Sequence, residues 1–83
     1  MAAYVYVIAS DSPRGKITYV GWTLDLDRRL AEHNGLGKRG AKSTRARQWL
    51  LVYAERHRTR KGAMKREYVL KNDREFRSIL RGH

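Results

Sequence analysis

Two segments of this chain are apolar at nearly every position, where a strand with one wet face would alternate. Ala3 to Ala9 (AYVYVIA) and Lys16 to Thr23 (KITYVGWT) are rich in β-branched and aromatic residues. Ser10-Asp11-Ser12-Pro13-Arg14-Gly15 lies between them as a turn-forming cluster. The pattern predicts a β-hairpin in a sheet covered on more than one side. Thr23 or Asp25 can cap a helix running to about Asn34, with acids in its first turn and Asn34-Gly35 as its stop signal. Residues 35–47, with three glycines and five basic groups, read as a loop. Trp49 to Ala54 (WLLVYA) has the length of a third strand. Thr59 offers a cap for a helix through about Lys71, with Ala63, Met64 and Tyr68 as its apolar stripe. Asn72-Asp73 restarts a short helix to about Arg81, and the Asn72/Glu75 spacing matches a capping box. The expected order is β-β-α-β-α-α: an α+β fold with a three-stranded, mainly antiparallel sheet and flanking helices, in a single domain over residues 1–83.

Bulk composition narrows the setting. An 83-residue chain buries roughly 60–65% of its unfolded surface, so the core must be economical. Cysteine is absent, which excludes a disulfide framework and a thiolate zinc site and favours an intracellular, cytoplasmic location. No apolar run is long enough for a signal peptide or membrane span. The net charge is +11, and it is unevenly placed. Residues 1–34 balance four cations against four acids, whereas residues 35–83 hold fifteen against four. Two acid-free basic runs, Lys38 to Arg47 and Arg56 to Arg66, point to a polyanion, because lysines and arginines that neutralise phosphates release condensed counterions. No broad Trp/Leu face accompanies them, which argues against a membrane surface.

Several side chains carry more specific chemistry. Strand parity puts Tyr4, Tyr6 and Ile8 on one face, and Ile17, Tyr19 and Gly21 on one face of the neighbouring strand. If the register joins these faces, Tyr6 and Tyr19 are near neighbours beside open space at Gly21. Two phenols at a gap can orient or deprotonate a water; cross-strand aromatic packing is the plainer alternative. Arg29 and His33 form an i, i+4 pair flanking the Leu26/Leu30 stripe. Arg29 offers a planar fork for a phosphate oxygen and His33 a hydrogen bond or a proton relay; a solvated helix flank is the alternative. Glu67 faces inward with Ala63 and Met64. A core-facing carboxylate is costly unless paired or metal-bound, and a lone one suits Mg²⁺. A salt bridge to Lys71 or Arg60 would also explain it.

Taken in order, these residues resemble the GIY-YIG endonuclease domain, in particular its small stand-alone bacterial members. Tyr4-Val5-Tyr6 stands where the family has GIY, and Tyr19-Val20-Gly21 where it has YIG. Thr23 to Asn34 (TLDLDRRLAEHN) is similar to the helix carrying the family's arginine and histidine. Gly40 to Arg45 (GAKSTR) is similar to the basic loop, and Arg66-Glu67-Tyr68 to the segment with the metal-binding glutamate. The resemblance covers nearly the whole chain. It implies phosphodiester hydrolysis with one Mg²⁺ or Mn²⁺ held by Glu67. Tyr6 or Tyr19 would activate water, Arg29 would neutralise charge on the phosphate, and His33 would assist at the same phosphate. Lys38, Arg39, Lys42, Arg45 and Arg47 would contact the nucleic-acid backbone without reading sequence. Three departures stand out: the two motifs have Tyr4 for glycine and Val20 for isoleucine, Trp22 follows where some relatives carry lysine, and the asparagine that the family often has well downstream of the glutamate is matched only by Asn72, five residues on, in a helix-cap position. The expected function is a DNA endonuclease selective for structure rather than sequence, in repair, recombination or processing. DNA is favoured over RNA, as a monomer or weak dimer, with an unnamed targeting partner allowed. The alternative is a binding module of the same fold with weak or lost catalysis.

Overall fold

A computed structural model describes residues 2–35 and 48–80. They form β1 (Ala3–Ser12), β2 (Gly15–Thr23), α1 (Leu26–His33), β3 (Leu50–His57), α2 (Arg60–Lys71) and α3 (Arg74–Leu80). The expected α+β order is present, and the strands make one antiparallel sheet in the order β2-β1-β3. The central position of β1 explains its continuous apolar run. On one face Ala3, Val5 and Val7 pack with Ala63 and Leu70 of α2 and with Phe76 and Leu80 of α3. On the other face Tyr6 and Ile8 pack with Trp49, Tyr19 and the Leu26/Leu30 stripe of α1. The sheet is thus the middle layer, and the two faces of β1 feed separate cores.

The hairpin strands run further into the turn than expected. Asp11 pairs with Lys16 and Ser12 with Gly15, which leaves Pro13-Arg14 as the loop. Gly15 takes the positive φ (108°) that the return requires. At α1 the two candidate caps divide the task. The Asp25 carboxylate accepts the Arg28 N–H at 3.1 Å, and the Thr23 hydroxyl accepts the Asp25 N–H at 3.1 Å. The helix stops at Asn34 with Gly35 at φ 82°. The Asn34 side-chain amide donates to the Trp49 carbonyl at 3.0 Å and accepts the Trp49 N–H. It pairs as a strand would, and so ties the end of α1 to the start of β3.

Three expectations need correction. The third strand continues past Ala54 to His57, because on an edge strand polar Glu55, Arg56 and His57 are as acceptable as apolar residues. The inward stripe of α2 is Ala63 and Leu70, both buried, whereas Met64 is 51% and Tyr68 70% exposed. α2 meets the sheet along an i, i+7 line with Arg66 and Glu67 between, a quarter-turn from the line its apolar residues suggested. At α3, Asp73 rather than Asn72 supplies the cap, accepting the Phe76 N–H at 3.0 Å. Asn72 instead closes α2, its amide donating to the Tyr68 carbonyl at 2.8 Å.

A bulge at Val52, where Val7 faces Tyr53 but Ile8 faces Leu51, switches the parity of β3. It lets Tyr53 pack edge-on against Phe76 on the α2 side (5.0 Å) while Trp49 packs against Tyr19 on the α1 side (6.4 Å).

Candidate active site

Tyr6 occupies the middle of the central strand, with Gly21 opposite it on β2 and Ala54 on β3. Its ring crosses the glycine: a Cβ at position 21 would lie 2.5 Å from the Tyr6 hydroxyl oxygen and 2.7 Å from Cζ. Gly21 has no positive φ, so close approach of the phenol, and not backbone freedom, is what requires glycine there. The Tyr6 oxygen lies 2.7 Å from His33 Nε2. The Arg29 guanidinium lies close enough to favour ionisation of the Tyr6 phenol. A phenol donates as well as accepts, so the Tyr6 hydroxyl can serve a neutral His33 at Nε2, the imidazole proton then being on Nδ1.

Burial sets the protonation of this cluster. His33 is completely enclosed; desolvation, with the positive charge of Arg29, pushes its pKa down to about 4. Tyr6, 1% exposed, is pushed up to about 12, because desolvation outweighs the stabilising Arg29. For Arg29 itself burial disfavours the charge, but hydrogen bonds to Glu32 and Tyr6 win and hold its pKa above the ordinary value. The Arg29–Glu32 contact is 3.0 Å. At neutral pH the arrangement is therefore a permanent cation beside a neutral phenol, itself bonded to a neutral imidazole.

Tyr19 stands on the same face, its ring 4.9 Å from that of His33. It is partly exposed, and its hydroxyl has no hydrogen-bond partner among the described residues. Glu67 projects from α2 with its side chain 23% exposed and Lys71 Nζ 3.9 Å away. Its negative charge raises the Tyr6 pKa, so the carboxylate lies within electrostatic reach of the phenol although α2 packs on the other face of the sheet. The Lys71 ion pair anticipated for Glu67 is present but loose. Beside Arg29 opens a groove of ≈ 500 Å³ lined by Trp22, Thr23, Leu24, Arg28 and Glu32 among others.

Tyr6, Tyr19, Gly21, Arg29 and His33 thus share one neighbourhood, and Glu67 reaches it only through its charge, from the other side of the sheet. Lys38, Arg39, Lys42, Arg45 and Arg47 lie outside the described residues. Two groups escaped the sequence reading. Arg56 is exposed and pairs with Tyr4, which puts it on the Tyr6 face. Glu55, on the opposite face, accepts from Tyr53, from His57 at 2.8 Å and from Arg66 at 2.7 Å. Burial pushes the Glu55 carboxyl up, but those three donors outweigh it and hold the pKa below the usual range. The alternation Tyr53/Glu55/His57 was the available signal, hidden by ending the strand at Ala54.

A family model of the GIY-YIG catalytic domain matches residues 2–79, a span that takes in every residue of this cluster. The chain belongs to the GIY-YIG family. It is similar to a UPF0213 protein of Syntrophus aciditrophicus (strain SB), 41% identical over 69 residues, covering 82% of this chain and 75% of the relative. A UPF0213 protein of Streptococcus pneumoniae serotype 4 is 46% identical over 70 residues, covering 83% of this chain and 66% of that protein. No solved structure matches. As a small GIY-YIG protein it falls in a nuclease superfamily, and no helix among the described residues is long and apolar enough to cross a membrane.

Proposed function

We propose that this protein is a divalent-metal-dependent endonuclease that hydrolyses phosphodiester bonds in DNA. It selects structure rather than sequence and acts in the cytoplasm in repair, recombination or processing. The observation that carries this reading is the buried Tyr6–His33 pair with the part-buried Arg29 guanidinium beside it, within electrostatic reach of the Glu67 carboxylate, in a protein of charge +11. Such an arrangement costs desolvation and stiffens a cation at the mouth of a groove, which a plain packing core does not need.

The donor set fits one hard cation. Glu67 is a single, partly exposed carboxylate, and no group of three or more His, Asp or Glu side chains occurs among the described residues. That suits Mg²⁺ or Mn²⁺ completed by water and substrate phosphate, and does not suit zinc or calcium. Such an ion would supply Lewis-acid stabilisation of phosphate oxygens. The chain's own residues do the rest. Arg29, held by Tyr6 and Glu32, meets negative charge developing on the phosphate. Tyr19, partly exposed beside the same imidazole, orients the attacking water. Tyr6 is a poor base at its raised pKa and serves to fix Arg29, while His33 acts through Tyr6. Arg56 positions the backbone on the same face.

The test is cleavage of labelled single-stranded, duplex, flap and branched DNA in Mn²⁺ and in EDTA, with wild type beside Glu67→Ala. Metal-dependent products that vanish in the variant are expected, with fold and DNA affinity nearly intact. Tight binding without products from the wild type would replace this reading with the second one, a non-catalytic binding module. That alternative is favoured by the Lys71 ammonium already beside Glu67.

A further inference from the structure

On α2 Met64 and Tyr68, which sequence reasoning placed with Ala63 in the core stripe, face water. Lys61, Met64, Lys65 and Tyr68 recur at i, i+3, i+4 and i+7, the spacing of one continuous helix face. All four are exposed, Tyr68 at 70% and Met64 at 51%. At about 100° per residue, this face points away from the Ala63/Leu70 line, and Glu67 lies between the two. Arg60, Lys61 and Lys65 make no ion pair among the described residues.

The first turn of α2 breaks a local rule. Its cap, Thr59, is a good one, accepting the Gly62 N–H at 3.0 Å. Yet no acid follows, and Arg60 and Lys61 stand where the helix dipole disfavours cations. Arg56 and Arg58 precede them, so Glu67 is the only acid between Arg56 and Lys71. Locally unfavourable choices of this kind collect where a partner compensates them. The partner that fits is a polyanion with flat apolar surfaces between its charges, which describes a nucleic-acid strand. An exposed ring among unpaired lysines is the pairing that such strands use, with phosphates on cations and a base on the aromatic face.

We infer that α2 is a nucleic-acid track: a substrate strand runs from Glu67 along the outer face of the helix, with phosphates on Lys61 and Lys65 and a base stacked on Tyr68. This deepens the endonuclease reading and rests on it for the choice of polyanion. It assigns the helix surface a role separate from the basic segment Lys38 to Arg47.

Binding in EDTA isolates the track from catalysis. The full-length protein is titrated against a fluorescein-labelled DNA oligonucleotide, by anisotropy, across a salt series. Tyr68→Ala should weaken binding about five- to hundredfold, the range for losing one stacking partner, while Tyr68→Phe keeps wild-type affinity. The pair Lys61→Gln/Lys65→Gln should reduce the log–log salt slope by about 1.5. The pair Arg14→Gln/Lys16→Gln, a charge-matched control on the hairpin, should leave the slope within error. Coincident thermal melts exclude misfolding, which these exposed positions do not invite. Unchanged affinity and slope in all α2 variants overturns the track, whether or not the wild type cuts DNA. So does loss of binding to anionic phospholipid vesicles by the same variants with oligonucleotide binding intact. Weakened binding by the α2 variants in a protein that never cleaves would support the track and sink the endonuclease.

Discussion

Gly21→Ala is the smallest substitution that should disable this site. The added methyl would sit 2.5 Å from the Tyr6 oxygen and 2.7 Å from Cζ, separations that no Cβ tolerates. A flexible surface side chain could swing aside at little cost, but Tyr6 is 1% exposed and its hydroxyl is 2.7 Å from His33. Overpacking of this type costs about 1–3 kcal/mol. If the phenol tilts away, His33 Nε2 is left without its donor inside the core, at about 1–3 kcal/mol more. A chain of this size is stable by roughly 4–12 kcal/mol in total. The expected loss of about 2–6 kcal/mol is therefore a large share, and at roughly 4–8 °C per kcal/mol even the low end lowers Tm by about 8 °C or more.

The functional loss should exceed what unfolding explains. Arg29 is braced by the same oxygen, so at a temperature where the variant is still folded, cleavage should fall by about 10²-fold, the scale of a misplacement near 1 Å. Chemical denaturation and single-turnover cleavage, measured on the same preparations, separate the two effects. Combining Gly21→Ala with Tyr6→Phe should be less damaging than the sum of the single changes, since the oxygen in the closest contact is gone. An unchanged Tm with wild-type cleavage would refute the account of Gly21. Strictly additive single and double variants would refute the claim that its partner is the Tyr6 hydroxyl.

The two tyrosines should separate by readout. Tyr19→Phe should cost at least about tenfold in cleavage, the scale of a positioned proton-transfer group, with little change in Tm; equal rates would remove Tyr19 from the water. Tyr6→Phe should instead lower both readouts: stability by about 1–3 kcal/mol through the unpaired Nε2, read by denaturation, and cleavage through the loosened Arg29. Acid stability should report His33. Its folded pKa of about 4 lies below the ordinary 6.5, so between those values the unfolded chain binds more protons and acid favours unfolding. Stability should fall as pH drops through that window, by at most about 1.4 kcal/mol per unit from this group. His33→Gln should flatten the curve of denaturation free energy against pH; an identical slope in variant and wild type would show that the imidazole is not held neutral.

Much of this was legible beforehand, for identifiable reasons. The hairpin, the order of elements and the Asp25 and Thr59 caps follow from short-range chemistry, in which neighbours along the chain decide the outcome. The shared face of Tyr6, Tyr19 and Gly21 followed from parity once the turn was placed. What stayed hidden depended on tertiary contact. Nothing in Met64 or Tyr68 says that α2 meets the sheet along Ala63 and Leu70, because the tightness of that contact favours small Ala63 over larger residues. Nor does the chain announce a bulge at Val52, without which Tyr53 and Trp49 would face the same side of the sheet and could not each join a different core. The protein partner of His33 was likewise not legible, although its spacing put it on the flank of the buried face. An imidazole at the end of a surface helix reads as solvent-facing or substrate-facing, but the Leu26/Leu30 stripe seats α1 closely enough that His33 is enclosed and reaches Tyr6.

The burial of His33 has a consequence for how such a small protein accommodates a reactive site. With the Val5/Val7 face of β1 packed against α2 and α3, the α1 face is the second core available to the chain, and Tyr6 is one of its buried members. Packing and chemistry therefore compete for the same side chains. The conflict is resolved by setting polar groups so that each supports the next: Glu32 holds Arg29, Arg29 lies beside the phenol, and the Tyr6 hydroxyl meets His33. A buried polar network that is fully satisfied stiffens its members, whereas one with a missing link is worse than an apolar core. Substitutions in this network should thus affect stability and cleavage together. Those at the exposed ends of the site, Tyr19 and Glu67, should affect cleavage with little change in stability. The division follows burial, and sequence distance does not predict it: Tyr6 and Tyr19 belong to matched motifs on paired strands and yet fall on opposite sides of it.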